Sequence, residues 1–503
     1  MGKYFAALIG LVLCAQVIAA PGEAAQTARI SIAVLPFANA SGEADQDFLA
    51  GGMTDEIAAA LTRVPGLNVV ARSSIFRYAG PNRDLRAIGE TLKLTYLVDG
   101  SARKVGDRVR MSARLVRTDG GAPLWSEDYY SELPDIFEIQ EDIAKKIAAA
   151  LKVPTGLRNG ESLVRNRAKD MDAYQDYLRA KVVARARGPK PLADAAVLLE
   201  KVIARDPDYA PASALLSYDY ALTPLFDRSL RSQAPDEERK TVARAIPRAD
   251  ILGRRAVQLD PEGADGFVGL GYANMVQGKM VAAEDAFKQA LALDPNQSDG
   301  LHGYSQFLAA MGRIKESLAM REHLQDVEQF ITNYTADTAE IYWLDGDTDK
   351  AIAMLQPFRP GRTLELALIQ AAAGRYREAA ALIREMTATN YLPGMTESAA
   401  RVLETAPAKA ASPESLPRLG NLGFAYMHVG APERVLEFYE GEVQAGYFQP
   451  ISTTWFWHPS YAAVRKTERF KAYARNMGLV DYWRARGWPS PCHPVGTDDF
   501  ACD

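Results

Sequence analysis

The feature that most constrains the fold is a period of 34 residues in the second half of the chain. Three glycines stand at this spacing, each followed five positions later by a small residue; they are Gly278, Gly312 and Gly346, followed by Ala283, Ser317 and Ala351. A repeat of this length encodes one small unit that buries its apolar face only by stacking on its neighbours. The pattern therefore predicts an elongated array of similar units instead of one globular core.

Residues 264–297 show what one unit contains. Two sets of residues each fall on one face of a predicted helix; the first is Phe267, Leu270 and Gly271, and the second is Ala283, Phe287 and Ala290. Small residues at 271 and 283 let the two helices approach closely, and Pro295 ends the second helix. The unit resembles the tetratricopeptide repeat, which implies about six or seven stacked helix pairs between Ala173 and Tyr447 with a concave groove.

The N-terminal part, residues 27–154, has a different pattern of strands and helices in the order βαβαβββα. The predicted strands are Ile30–Phe37, Leu67–Arg72, Tyr96–Val105, Arg108–Thr118 and Pro123–Ser131, and the predicted helices are Phe48–Val64, Asp84–Leu92 and Asp135–Leu151. The fold class is therefore an α+β domain, with helices on one sheet, followed by an all-α superhelix.

Four blocks of this domain resemble the TolB amino-terminal-like domain: IAVLPFAN from Ile32, FLAGGMTDEI from Phe48, the paired strands from Tyr96 to Val116, and LWSEDYYSE from Leu124. In related chains this domain often precedes tetratricopeptide repeats, and the tandem is often labelled adenylate cyclase-like. The resemblance implies a TolB-like domain at 27–154, a linker at 155–169, a repeat array at 170–485 and a tail at 486–503.

Residues 1–25 have the pattern of a secretory signal: Lys3, an apolar run from Tyr4 to Ala20, and then small residues. The alternative is an uncleaved anchor, because seventeen apolar residues barely span a bilayer. We expect a periplasmic or secreted protein, or one anchored in the inner membrane by residues 4–20. If Cys14 is removed with the signal, Cys492 and Cys502 are the two cysteines that remain. Such a pair in an exported protein predicts a disulfide.

No motif in the sequence indicates catalysis, a metal or a cofactor. Gly51 and Gly52 lie between a strand and an Ala-rich segment, but the Lys-Ser/Thr pair of a phosphate loop is missing, so we expect them inside a helix that packs on the sheet. The five histidines are scattered, and no block has the metal-binding aspartates of a cyclase. The net charge of −5, without a basic block, gives nucleic-acid binding no support.

The resemblance to tetratricopeptide arrays places groove positions on the first helix of each unit. The matching residues are Tyr272, His302, Gln306, Glu340 and Trp343. The alternative is that some of them fill gaps between helices, which applies most to Trp343 because buried aromatic residues commonly belong to the core. The sequence thus predicts a non-enzymatic scaffold of the bacterial envelope that binds proteins or peptides. The alternative is a regulatory or catalytic component of a nucleotide-cyclase-like system.

The tail from Trp488 to Asp503 is predicted to cap the array. Its three prolines forbid a helix, and the last unit of an array has no neighbour to cover its apolar face. We expect the tail to lie over that last unit, with Trp488 and Phe500 as anchors.

Overall fold

The structure is a computed structural model that describes residues 30–503 except for short segments at 44–45, 71–74, 76–77, 79–82, 121–122, 227–234, 329–331, 360, 387–390, 392 and 449–452. The predicted signal peptide or anchor lies outside the described residues. Among the described helices, none combines the length and the apolar character that crossing a membrane requires.

The N-terminal domain is a mixed sheet with helices on both faces. Its elements are β1 (Ile30–Val34), β2 (Ala38–Asn39), α1 (Asp47–Thr62), β3 (Leu67–Val69), α2 (Leu85–Leu92), β4 (Tyr96–Val105), β5 (Arg108–Arg117), β6 (Pro123–Glu132) and α3 (Ile136–Ala150). The strand order is β3-β1-β4-β5-β6, and β2 also pairs with β4. Strands β3, β1 and β4 are parallel, whereas β4, β5 and β6 form an antiparallel meander.

Alternate residues of the strands supply two separate cores. Ile32 and Val34 of β1 face the core that includes α1 and α3, while Ala33 and Leu35 face the core that includes α2. The predicted order of elements is confirmed, with the two-residue β2 as an addition. Strands β1 and β3 end earlier than predicted, at Val34 and Val69.

Gly52 lies inside α1, as predicted, but its packing partner differs from the prediction. A Cβ atom at this position would lie 2.7 Å from a methyl carbon of Leu178, which belongs to the first helix of the repeat array. Helix α1 packs on the sheet as predicted, against β1, β3 and β4. The glycine at 52, however, serves the close approach of α1 to the array, not to the sheet.

The rest of the chain is a superhelical stack of helices, as predicted. The helices are α4 (Met171–Ala184), α5 (Pro189–Arg205), α6 (Ala210–Leu222), α7 (Pro235–Leu259), α8 (Ala264–Val276), α9 (Met280–Leu293), α10 (Ser298–Ala310), α11 (Ile314–Val327), α12 (Thr332–Leu344), α13 (Thr348–Leu355), α14 (Thr363–Ala372), α15 (Tyr376–Glu385) and α16 (Met395–Thr405). The turn glycines of the 34-residue period have φ of +75° at Gly278, +82° at Gly312 and +101° at Gly346. Glycine is favoured at these turns because other residues rarely adopt this left-handed backbone.

The two parts of the chain share one hydrophobic core. Residues of β1, α1 and α3 pack in the same cluster as α4, α5 and α6. Residues 155–169, predicted as a linker, also pack there: the backbone N–H groups of Leu163 and Val164 donate to the Glu141 carboxylate at 3.0 and 2.7 Å. The first repeat is therefore held against the N-terminal domain by buried contacts.

The C-terminal region contains short helices and a hairpin. After a 3-10 segment at Gly420–Val429, it comprises α17 (Leu436–Ala445), α18 (Ala462–Arg465), α19 (Glu468–Asn476), α20 (Leu479–Arg486), β7 (Cys492–Val495) and β8 (Asp499–Cys502). The hairpin carries the predicted Cys492–Cys502 disulfide, with the two Cα atoms 4.0 Å apart.

This region folds back onto the middle of the array. The indole N–H of Trp457 donates to the carbonyl of Ala310 at 2.9 Å, and that of Trp483 donates to the carbonyl of Met311 at 3.3 Å. Trp488 and Phe500 pack against Trp483, with ring centroids 5.4 and 5.6 Å from it, so both are anchors as predicted. The tail covers the helices that directly precede it, because Asp499 pairs with Lys471 and Arg475 of α19 at 2.9 and 2.6 Å. Pro489 also lies beside the turn at Gly312, just after α10.

Candidate functional site

Four of the five predicted groove residues lie in the interior of the array. Tyr272 is 2% exposed, and its ring lies between those of Tyr218 and Phe287 at centroid distances of 4.9 and 5.4 Å. His302 stacks on Tyr334 at 4.3 Å, and its Nδ1 lies 2.9 Å from a guanidinium nitrogen of Arg321. Burial, followed by the nearby Arg321, holds the pKa of His302 well below its ordinary value, so this imidazole is neutral.

The other two buried residues contact the C-terminal region. The indole N–H of Trp455 donates to the Glu340 carboxyl at 2.9 Å. Trp343 is 1% exposed and stacks on His458 at 4.1 Å. Burial and the neighbouring Glu365 raise the pKa of Glu340, which favours its neutral form. For Trp343 the alternative of a core role is therefore the one that the structure shows.

Gln306 is the predicted groove residue with a partly exposed side chain. It lies on α10, where residues spaced by three or four positions share one face. Asp299 and His302 precede it on that face. Asp299, at the start of α10, has a side chain that is 32% exposed, so this face is accessible there. Among the five predicted positions, Gln306 is thus the one open to a partner.

The sequence prediction missed a cluster of polar groups centred on Asp299. One carboxylate oxygen of Asp299 lies 2.8 Å from a guanidinium nitrogen of Arg187, and accepts hydrogen bonds from the hydroxyls of Tyr218 at 3.0 Å and Tyr334 at 2.8 Å. The side chains of Arg187 and Asp299 are 24% and 32% exposed. These groups come from four separate segments of the chain, so no local sequence pattern brings them together. The one sequence feature that could have indicated Asp299 is its place on the same predicted helical face as Gln306.

A second cluster continues the polar surface onto α12 and α14. Arg362 forms ion pairs with Asp337 at 3.2 Å and with Glu365 at 3.0 Å. All three side chains are partly accessible, at 12–19%. We call this set of partly exposed polar residues the inner band; it consists of Arg187, Asp299, Gln306, Asp337, Arg362 and Glu365. Its acidic and basic groups are already paired, so it offers hydrogen-bond donors and acceptors in fixed positions.

Comparison with known proteins gives partial matches. Residues 27–146 match the family model described as HilA/YgeH-like transcriptional regulator, second domain. A protein named "Putative adenylate cyclase 3" from Rhizobium meliloti (strain 1021) is 35% identical over 190 residues, which are 38% of this chain and 32% of that protein. "Cellulose synthase operon protein C" from Xanthomonas axonopodis pv. citri (strain 306) is 29% identical, covering 35% of this chain and 12% of that protein. The chain thus spans a third or less of these relatives.

Similar solved structures include two that are described as TPR proteins. TTC0263 from Thermus thermophilus, described as a thermophilic TPR protein, aligns with 40% of this chain and 98% of its own, at 15% identity and a TM-score of 0.30. YrrB, described as a TPR protein with an unusual peptide-binding site, aligns with 39% of this chain and 90% of its own, at 18% identity and a TM-score of 0.24. Human IFIT1 with m7Gppp-AAAA aligns with 61% and 77%, at 17% identity and a TM-score of 0.37.

Proposed function

We propose that this protein is an interaction module that binds an extended segment of a partner protein along the inner band. The observation that carries the proposal is a row of partly exposed polar groups along one surface of the array, in which the acids and arginines are already paired. Stacked helix pairs hold such groups rigidly, which reduces the ordering cost of binding. An extended peptide carries one amide donor and one carbonyl acceptor per residue. Its N–H groups can donate to the carboxylates of the inner band, and its carbonyls can accept from the arginines and from Gln306.

The second part of the proposal concerns location and the N-terminal domain. We infer an exported protein of the bacterial envelope, either released or anchored, from the signal-like residues 1–25 and the Cys492–Cys502 disulfide, because such bonds persist in oxidising compartments. The TolB-like blocks suggest that the α/β domain contacts a second partner, so that the chain acts as a scaffold.

Introducing a large cation on the inner band is expected to block the partner. Gln306→Arg places a long charged side chain where the bound segment would lie, and partner capture should fall by about tenfold or more, as expected for one unfavourable contact of roughly 1.4 kcal/mol. The matched control is Gln289→Arg, which makes the same change at an exposed position of α9.

The measurement uses a photo-crosslinking residue at position 306 or 289 in cells. A partner crosslinked from position 306 and absent from position 289 supports the inner band as the binding surface. Equal crosslinking from both positions, together with unchanged capture by the Gln306→Arg protein, would show that the partner binds elsewhere.

A role in nucleotide-cyclase signalling is the second candidate, favoured by the relative named "Putative adenylate cyclase 3". We predict no catalysis by this chain, because its sequence has no block with two metal-binding aspartates and the distant asparagine and arginine of a cyclase. Purified protein given ATP or GTP with magnesium or manganese should form no cyclic nucleotide above a heat-denatured control. Product that increases in proportion to protein concentration would overturn this prediction and favour the second candidate.

A further inference from the structure

A cavity of about 580 Å³ lies where the α/β domain meets the repeat array. One wall is formed by the end of α1 and the start of β3, and the other by the starts of α6 and α8 and the ends of α7 and α9. Residues of the packed segment 155–169 complete it. This volume falls in the range of roughly 300–1,000 Å³ that is typical of small-molecule sites.

Charges of both signs line this cavity, the positive one on one wall and the negative ones on the other. Arg63, at the end of α1, donates from its guanidinium to the carbonyl of Leu163. Across the cavity stand three carboxylates from the array: Asp260, Asp265 and Asp294. Within the described residues none of these four groups forms an ion pair, although Asp260 accepts a hydrogen bond from Asn166 at 2.7 Å and Asp265 accepts one from Gln297 at 2.9 Å.

Water reaches part of this cavity, because Arg63 and Asp265 are exposed residues. Asp294 is less accessible, and burial raises its pKa to about 6 although Arg63 opposes the shift. For Asp294 the loss of hydration therefore outweighs the attraction of the guanidinium on the opposite wall. The other two charged residues of the wall, Arg165 and Glu262, pair with each other at 2.6 Å. A ligand with one charge would satisfy one side of the cavity and leave the other side unmatched.

We propose that this cavity binds a small zwitterion of the amino-acid or dipeptide class, with its carboxylate at Arg63 and its ammonium group among the three aspartates. The planar guanidinium suits a carboxylate because two N–H groups can donate to its two oxygens. An ammonium group has three N–H donors, which suits a wall that carries three carboxylates. Alanine side chains at 59, 210, 214 and 256 leave space for an apolar side chain between the two ends.

Binding at this position would stabilise the junction between the two domains, because the walls come from both. Beside the cavity, a hydrogen bond from the Asn296 side-chain amide to the Asn68 side chain, at 2.9 Å, already joins the two sides. A ligand that binds only the docked arrangement shifts the equilibrium toward it as ligand concentration rises. The inference is independent of the inner band, which lies on other surfaces of the array.

The test uses the purified full chain and pools of the L-amino acids and of dipeptides. We expect at least one pool to raise the melting temperature, and isothermal titration with the responsible compound to give saturable binding. The amide of that compound lacks the carboxylate and its N-acetyl form lacks the ammonium group, so each should bind about tenfold or more weakly. No shift with either pool, or equal binding of the amide or the N-acetyl form, would overturn the proposal.

Substitutions locate the site. Arg63→Met and Asp294→Asn keep most of the side-chain volume and should each weaken binding of the responsible compound by about tenfold or more. Arg86→Met is the matched control, because Arg86 is exposed on α2 and pairs with Glu90 far from the cavity walls. Thermal unfolding followed by circular dichroism identifies a variant that fails to fold. If one variant does not fold, the affinity of the other variant for the compound is the deciding measurement. Binding by both folded variants at the wild-type affinity would show that the compound binds elsewhere.

Discussion

Replacing Trp483 with alanine is expected to lower the free energy of unfolding by about 3–5 kcal/mol, the range for removing a buried aromatic side chain. Trp483 has 0% exposure and is surrounded by Trp457, Trp488 and Phe500, with ring centroids 5.4–5.7 Å away. Its indole N–H also donates to the carbonyl of Met311. The substitution therefore leaves a cavity and an unpaired carbonyl at the contact between the C-terminal region and α10.

The measurement is urea denaturation with limited proteolysis at sub-denaturing concentrations. Because Trp483 joins the C-terminal region to the middle of the array, the variant should be cleaved within residues 453–503 before the helices α4–α16 are. The matched control is Val495→Ala, since Val495 is 47% exposed on the hairpin of the same C-terminal region. A denaturation midpoint equal to that of wild type would contradict the role given to this contact.

The local parts of the fold were predictable from the sequence. Strand β4 begins and ends where the alternation of apolar and polar residues predicts, at Tyr96 and Val105. Val98 and Ala102 are buried on one face, whereas Arg103 and Val105 are exposed on the other. The repeat turns were predictable for a related reason. Glycine recurs where the chain must adopt positive φ, so Gly278 and Gly312 reveal the period directly.

The long-range contacts were not predictable in this way. Trp455 and Glu340 are 115 residues apart in sequence, and neither residue's neighbours indicate that they meet. A periodic pattern specifies contacts between adjacent units, whereas docking of the C-terminal region on α10 depends on the shape of the complete array. The prediction therefore placed Glu340 and Trp343 on an open groove that the chain itself covers.

The same contacts explain which part of the inner surface remains for a partner. The C-terminal region binds the ends of α10 and α12, where Ala310, Met311 and Trp343 lie. The starts of α10 and α14, with Asp299 and Arg362, keep partly exposed side chains. The binding surface that we propose is thus limited to one side of the superhelix by intramolecular packing.

Asp219→Asn is expected to make the protein less sensitive to alkaline pH. Asp219 is 1% exposed on α6, and within the described residues one of its carboxyl oxygens has no hydrogen-bond partner. Burial raises its pKa to about 8, although Arg187 opposes the shift. In the unfolded chain an aspartate has a pKa of about 3.9. Between these values the folded state keeps a proton that the unfolded state releases.

The sign of the effect follows from this difference in bound protons. The unfolded state binds fewer protons than the folded state between about pH 4 and pH 8, so the contribution of Asp219 to stability falls as pH rises through that window, by at most about 1.4 kcal/mol per pH unit. Asparagine has nearly the same shape as aspartate and cannot ionise. The free energy of unfolding of the variant should therefore increase relative to that of wild type as pH rises. The gain at pH 8 relative to pH 5 should reach up to about 4 kcal/mol.

Urea denaturation of wild type and variant at pH 5, 6, 7 and 8 measures this gain directly. The difference isolates Asp219, because Glu340 and Asp294, whose pKa values are also raised, are present in both proteins. Asp349→Asn is the control, since Asp349 is exposed on α13 and the same change there should give parallel curves at all four pH values. A constant difference between wild type and Asp219→Asn from pH 5 to pH 8 would mean that Asp219 is ionised in the folded protein, and that Arg187 compensates its charge.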